Sequence, residues 1–147
     1  MNTEQVDWSK SHNGLMLCTI EQVSNLMPEV THILNELTPE LSWDNYYIDV
    51  KVHMLMPNQF PCIPNWHYDF LPRGEDGERC NNSRSEKKMY TWLSSSPLTL
   101  YKDSKGVEYT KPAQKWHEFT QHDLHRGQMS DEHVWRCFIR VIPLRFT

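Results

Sequence analysis

From Tyr46 to Met56 the chain alternates with a period of two. Tyr46, Ile48, Val50, Val52, Met54 and Met56 fall on one side of an extended backbone, and Tyr47, Asp49, Lys51, His53 and Leu55 on the other. Successive side chains of a strand point to opposite faces, so the run predicts one long strand with a single buried side. A strand buried on one side needs another layer to cover it. The rest of the chain must supply that layer.

The preceding segment has the period of helices. Thr19-Ile20-Glu21-Gln22 has the Thr-x-x-Gln form of a capping box. Pro28 is suited to a first helical position, with Val30, Ile33, Leu34 and Leu37 on one face and Thr38-Pro39 as a stop. After the long strand come a corner punctuated by Pro57, Pro61 and Pro64, the short segment from Trp66 to Phe70, and a polar stretch from Pro72 to Lys88 that reads as a long loop. Further short strands are expected at Met89–Leu93, Leu98–Tyr101, Val107–Thr110, Lys115–Phe119 and Val134–Pro143. Helices first and strands afterwards describe an α+β, mainly β chain whose body is a sandwich or barrel. At 147 residues it is expected to be one domain, with a helical part at about 19–38 and a β core at about 46–143.

Composition removes several classes of function. A net charge of -4 gives no long-range attraction to phosphate backbones. Cys18, Cys62, Cys80 and Cys137 show no Cys-x-x-Cys spacing, against a zinc ribbon or redox pair. No run approaches the roughly 20 apolar residues needed to cross a bilayer. The polar start Met1-Asn2-Thr3-Glu4 is unlike a signal peptide. The expectation is a cytoplasmic protein with reduced thiols and no membrane partner.

Chemistry concentrates in two places. In Pro64-Asn65-Trp66-His67-Tyr68-Asp69, an extended backbone projects the His67 imidazole and the Asp69 carboxylate from one face. Two cis ligands supplied this way need a third from elsewhere. Two His and one carboxylate on one triangular face leave three metal positions open, the arrangement of non-haem Fe(II) oxygenases. His-x-Asp alone is a weak signal, because a buried His hydrogen-bonded to a nearby Asp gives the same pattern. The second place adds weight: Asp123-Leu124-His125-Arg126-Gly127 precedes a strand-like run in which Arg136, Phe138 and Arg140 share one face. Two cations on the pocket side of a strand are costly unless an anion meets them, and Arg suits a carboxylate gripped by two parallel hydrogen bonds.

His-x-Asp, then a His, then an Arg some ten residues on resembles the Fe(II)/2-oxoglutarate-dependent dioxygenase superfamily, over roughly Tyr46 to Val141. His125 lies eleven residues before Arg136 and fifteen before Arg140. This looks like the spacing of taurine dioxygenase-type members, and the contexts around His67 and His125 look like small members of the superfamily. The resemblance implies a double-stranded β-helix, a jelly-roll or cupin-like barrel with the N-terminal helices packed on it. It implies His67, Asp69 and His125 as iron ligands, and Arg136 on the C5 carboxylate of 2-oxoglutarate with Arg140 as a secondary or alternative contact. It also implies O2 as co-reactant, succinate and CO2 as products, and hydroxylation or oxidative demethylation of a substrate. The sequence leaves that substrate unidentified, with a macromolecule (protein or nucleic acid) favoured by how little chain is left to build a closed pocket.

Other residues compete for these roles. His117, His122 and His133 rival His125, but only His125 stands at family-like distances from both arginines. His53 is read as structural. Trp66, Tyr68, Trp92, Trp116 and Trp135 are read as packing. Tyr90 and Trp92 would share a face, so Tyr90 is a candidate contact for 2-oxoglutarate. Arg126 is a candidate ion-pair partner at the site mouth. The loop 72–88 is a candidate lid. Two other functions fit such a barrel. A cupin metalloenzyme would carry His-x-His with a following Glu, which is absent, and a non-catalytic binding protein would neither bind metal nor respond to 2-oxoglutarate.

Overall fold

The computed structural model describes residues 6–70 and 85–145. Of the 72–88 loop only 85–88 fall among them, so its expected lid role, like Cys80, lies outside the described residues.

The strands and α-helices of the described residues are β1 (Gly14–Cys18), α1 (Ile20–Leu26), α2 (Pro28–Leu34), β2 (Tyr46–Leu55), β3 (Met89–Leu93), β4 (Leu100–Lys102), β5 (Glu108–Thr110), β6 (His117–Phe119), β7 (Leu124–Arg126) and β8 (Val134–Pro143). They form a mainly β structure of two sheets and few helices. The larger sheet has the order β1-β2-β8-β3-β6 and the smaller β5-β4-β7. A bridge between His67 and His125 adds the His67 segment to the free side of β7. Among the described residues the two sheets do not join into a closed barrel.

β2 and β8 are the spine. They pair antiparallel over their whole lengths, from Tyr46 opposite Pro143 to Leu55 opposite Val134. Ile48, Val50, Val52, Trp92, Cys137, Ile139 and Val141 line one face of the larger sheet and pack against Val23, Met27, Val30, Ile33 and Leu34 of the helices. Trp8 closes this layer edge-on against Trp92 at 6.3 Å between ring centroids. The indole N–H of Trp116 donates to the Ile33 carbonyl at 2.8 Å.

Each helix has seven residues, far below the 12–15 or so at which an isolated helix becomes even marginal. They therefore depend on this burial. α1 begins with the capping box expected at Thr19: its hydroxyl accepts from Gln22 N, and the Gln22 side chain accepts from Thr19 N. α2 begins at Pro28 as expected but stops at Leu34, before Leu37.

Three expectations need correction. Met54 and Met56, placed by periodicity on the buried side of β2, are 39% and 44% exposed, because the helical layer reaches only as far as Val52. Asp49, on the polar side, is buried. β1 and β7 were not anticipated. β1 is an irregular edge strand whose register against β2 shifts between Leu15 and Cys18, so it lacks the alternation that marks a strand, and β7 has only three residues. Cys18, Cys62 and Cys137 are free thiols. No helix among the described residues is long and apolar enough to cross a membrane.

Candidate metal centre

The second face of the larger sheet is polar and looks into a cavity of about 240 Å3. Asp49, Lys51 and His53 of β2 lie directly across from Arg140, Phe138 and Arg136 of β8. The alternation that buries Ile48, Val50 and Val52 on the helical side turns this polar set to the other. The smaller sheet supplies the opposite wall.

His67 and His125 meet there as backbone partners. His67 N donates to the His125 carbonyl at 2.9 Å, and His125 N to the His67 carbonyl at 3.0 Å. Their rings lie 4.4 Å apart. Asp69, two residues along the same extended segment, points its Oδ1 to 3.5 Å from His67 Nε2 and 3.2 Å from His125 Nε2. One ligand atom from each of the three residues lies within 4.8 Å of the others. The structure thus brings together the three residues expected to hold a metal. His117, His122 and His133 stay outside the cluster; His117 Nε2 instead meets the Pro112 carbonyl at 2.7 Å.

The tautomers follow from the surroundings. His67 Nδ1 is 2.8 Å from the Asn65 carbonyl, and His125 Nδ1 is 2.9 Å from the Asp123 carbonyl. A carbonyl oxygen only accepts, so each Nδ1 carries a proton, and a ring in its neutral form then has its lone pair on Nε2. Nε2 of each ring faces a carboxylate oxygen. Three electron-pair donors aimed at one small volume repel unless a cation sits among them, and one divalent ion satisfies all three at once. A backbone carbonyl fixing the far nitrogen is the outer support that metal-bound imidazoles ordinarily have. The donor set, two imidazoles and a carboxylate, suits Fe(II).

Charge around the cluster is divided unevenly. Arg140 spans two carboxylates, donating through Nη2 to Asp49 Oδ2 at 2.8 Å and through Nη1 to Asp69 Oδ2 at 3.2 Å. Burial alone would raise the Asp69 carboxyl, but where no ion is bound a proton on Nε2 is donated to it, and these hydrogen bonds from His125 and His67, with the charges of His125 and Arg140, outweigh burial and hold it well below the usual carboxylate range. Arg136 is only 3% exposed. Its Nη1 donates to His53 Nε2 at 3.3 Å, its Nε is buried without a partner, and no carboxylate among the described residues pairs with it. Burial pushes its pKa down to about 10, which leaves it charged at neutral pH. The Thr91 hydroxyl, on the same cavity wall, is also buried without a partner. Unmet donors beside a buried cation are what a bound anion would satisfy.

Tyr90 requires a correction. Tyr90 and Trp92 do share a face of β3, but it is the helical one: the Tyr90 hydroxyl accepts from Glu40 N at 2.9 Å and its ring meets Tyr46. Thr91, between them, is the β3 residue that faces the cavity. Arg126 makes no ion pair among the described residues; its guanidinium lies over the Trp66 ring at 5.3 Å, with Lys102 Nζ at 4.2 Å from the same ring.

Asp49, His53, Thr91 and Tyr101 were not singled out for the site by the sequence. For Asp49 and His53 the signal was present: an acid and an imidazole on the polar side of a strand, with two arginines on a later strand at matching separation. Tyr101 lies beside His125, with 5.7 Å between ring centroids, and Phe119 meets it edge-on at 6.0 Å. Burial pushes the Tyr101 hydroxyl up, so it stays protonated.

No family model matches the chain, and no curated protein matches it. Among solved structures, a crystal structure of a Pseudomonas putida prolyl-4-hydroxylase is similar over 99% of this chain and 96% of that one, at 11% identity and a TM-score of 0.46. A likeness of that degree says nothing about chemistry.

Proposed function

We propose that this chain is a non-haem Fe(II)- and 2-oxoglutarate-dependent oxygenase built on a double-stranded β-helix. The observation that carries the reading is one cavity holding both a two-His, one-carboxylate cluster with converging ligand atoms and a buried arginine without a carboxylate partner among the described residues. A metal cluster alone fits many enzymes. With the second feature beside it, the pocket suits a metal-bound organic anion.

The order of the strands supports the fold assignment. Taken along the chain, β2 lies in the larger sheet, the His67 segment in the smaller, β3 in the larger, β4 and β5 in the smaller, β6 in the larger, β7 in the smaller and β8 in the larger. Alternation of this kind between two facing sheets is how a jelly roll is wound.

In this reading His67 Nε2, His125 Nε2 and Asp69 Oδ1 hold the ion. Arg140 holds the other oxygen of Asp69, keeping that carboxylate to one ligand atom. Arg136 takes the distal carboxylate of 2-oxoglutarate, with the Thr91 hydroxyl as a further donor. One carboxylate (Asp69) and three cations (Lys51, Arg136 and Arg140) line the pocket, so a divalent ion leaves an excess of positive charge that a dicarboxylate reduces. Bound Fe(II) would supply the centre at which oxygen is activated as 2-oxoglutarate goes to succinate and CO2. Tyr101 and Phe119 shield His125 from water. The substrate, hydroxylated or oxidatively demethylated, enters from outside with one group, a protein side chain or a nucleobase, since a cavity of about 240 Å3 has little room beyond the cosubstrate.

The test is succinate formation from 2-oxoglutarate with Fe(II), in air and under argon. Turnover that needs both oxygen and iron, and that disappears in His67→Ala, is the expected result. Protein that binds neither Mn(II) nor 2-oxoglutarate would instead be a metal-free binding module, and the proposal would be wrong.

A further inference from the structure

We propose that β2 decides which of the two arginines receives the anion: Asp49 and His53, directly across the ladder from Arg140 and Arg136, are positioning residues that assign one guanidinium to the metal ligand and leave the other for the cosubstrate. This rests on the reading of the cavity as an Fe(II)/2-oxoglutarate site and deepens it.

The two arginines are alike in sequence and share one face of β8, so position along the strand alone does not separate their tasks. Their cross-strand partners do. Asp49 faces Arg140 and His53 faces Arg136 in the antiparallel register. Asp49 is a buried carboxylate, 8% exposed, held on its other oxygen by Leu17 N at 2.7 Å. Fixed from the β1 side, it takes one arm of Arg140 at 2.8 Å and so aims the other at Asp69. With two carboxylates on it, Arg140 has little charge left to attract a third.

His53 does the opposite for Arg136. Its Nε2 accepts from Nη1, which fixes the guanidinium plane without neutralising its charge. Burial, with Arg136 and Lys51 nearby, pushes the imidazole down to about 4, so it is a neutral acceptor at working pH. Among the described residues Nε is unpartnered in both arginines, so what separates them is the partner at the Nη atoms: two carboxylates on Arg140, one neutral imidazole on Arg136. A neutral partner in place of an acid is therefore the feature that keeps Arg136 free for a carboxylate. Lys51, between the two pairs, is turned to the Pro61 carbonyl at 3.3 Å.

The experiment measures two affinities separately: Mn(II), from loss of the free-ion electron paramagnetic resonance signal, and 2-oxoglutarate, by calorimetry at saturating Mn(II). His53→Asp neutralises Arg136 and should weaken 2-oxoglutarate about 10- to 100-fold, the loss of a charge-assisted hydrogen-bond pair, with Mn(II) affinity kept. His53→Gln, which retains a neutral acceptor, should stay close to wild type. Asp49→Asn lets Arg140 draw on Asp69 alone and should weaken Mn(II) about tenfold, as loss of outer-ligand support does, while 2-oxoglutarate affinity at saturating metal holds. His53→Glu gives a second route to the neutralised guanidinium should His53→Asp fail to fold. If both acidic variants bind 2-oxoglutarate as tightly as wild type, or if His53→Gln loses as much as they do, the division of labour is wrong and the metal reading stands. Wild-type protein that takes neither Mn(II) nor 2-oxoglutarate overturns both.

Discussion

His67 and His125 are direct backbone partners, each donating its N–H to the other's carbonyl, at 2.9 and 3.0 Å. Two stretches far apart in the chain are thereby registered on one another by main-chain hydrogen bonds, and the ring geometry follows from that register. With both Nδ1 atoms on carbonyls and both Nε2 atoms on Asp69, the cluster is organised before any ion arrives. Little ordering has to accompany binding, which is the condition for a tight site.

Metal should therefore stabilise the fold measurably. A ligand that binds only the native state adds about 2.7 kcal/mol at a hundredfold excess over its Kd. Wild-type protein should show a clear rise in melting temperature with Mn(II), followed by calorimetry. His67→Ala should remove the shift while leaving the metal-free melt close to wild type, since the side chain is at the cavity and outside the two hydrophobic clusters. Equal shifts in wild type and variant would place the ion elsewhere.

Arg136 should trade stability for binding. Among the described residues no carboxylate partners this buried cation, and its desolvation is only partly repaid by a neutral acceptor. Arg136→Met keeps the length and apolar stem and removes the charge. Urea unfolding of the metal-free variant should give a stability equal to or above wild type, by up to about 1–4 kcal/mol, while 2-oxoglutarate binding at saturating Mn(II) is lost. A strongly destabilised variant would mean that Arg136 serves the fold.

The sequence was most informative where one physical requirement dominated. The period-two run of β2 gave its start at Tyr46 and its buried face as far as Val52, and β3 and β8 came at their observed bounds, because strands buried on the helical side need that alternation. The same rule put Arg136 and Arg140 on one face. It did not reveal their partners, since pairing across a ladder depends on register, which the chain's own order does not state. Tyr90 illustrates the limit: which side of β3 faces the cavity depends on where the helices dock. β1 was hidden because an irregular edge strand has no periodic signature, and Met54 because the extent of the helical layer is a property of tertiary packing. Joining His125 to the His67 segment required the resemblance to a known family as well as the residues themselves.

His53 should titrate far below an ordinary histidine. Its pKa in the fold is about 4 against 6.5 for a free side chain. The folded state therefore binds fewer protons than the unfolded one between those values. The stability linked to this group is whole above pH 6.5 and is lost as pH falls towards about 4. Nitrogen-15 shifts of the imidazole should report a neutral ring at pH 5.5. Urea midpoints for wild type should fall more between pH 6.5 and 4.5 than those of His53→Gln. A ring that titrates near 6.5 would mean that His53 is not desolvated against Arg136.

Gly127 makes the closest approach near the site, and alanine should expose it. Its N–H donates to the Ile63 carbonyl at 2.8 Å, tying the strand that carries His125 to the segment leading into His67. A Cβ at this position would lie 2.7 Å from Cys62 Sγ and 3.2 Å from the Cys62 carbonyl oxygen. The sulfur belongs to a short side chain with little freedom to withdraw, so the backbone must shift. Overpacking of this kind costs about 1–3 kcal/mol. Gly127→Ala should lose stability in that range, and Cys62→Ala in the same chain should restore more than half of it, because the nearest contact is the thiol. The two changes should thus be non-additive in a double-mutant cycle. Strictly additive effects would show that the Gly127 backbone and the Cys62 side chain do not touch in solution.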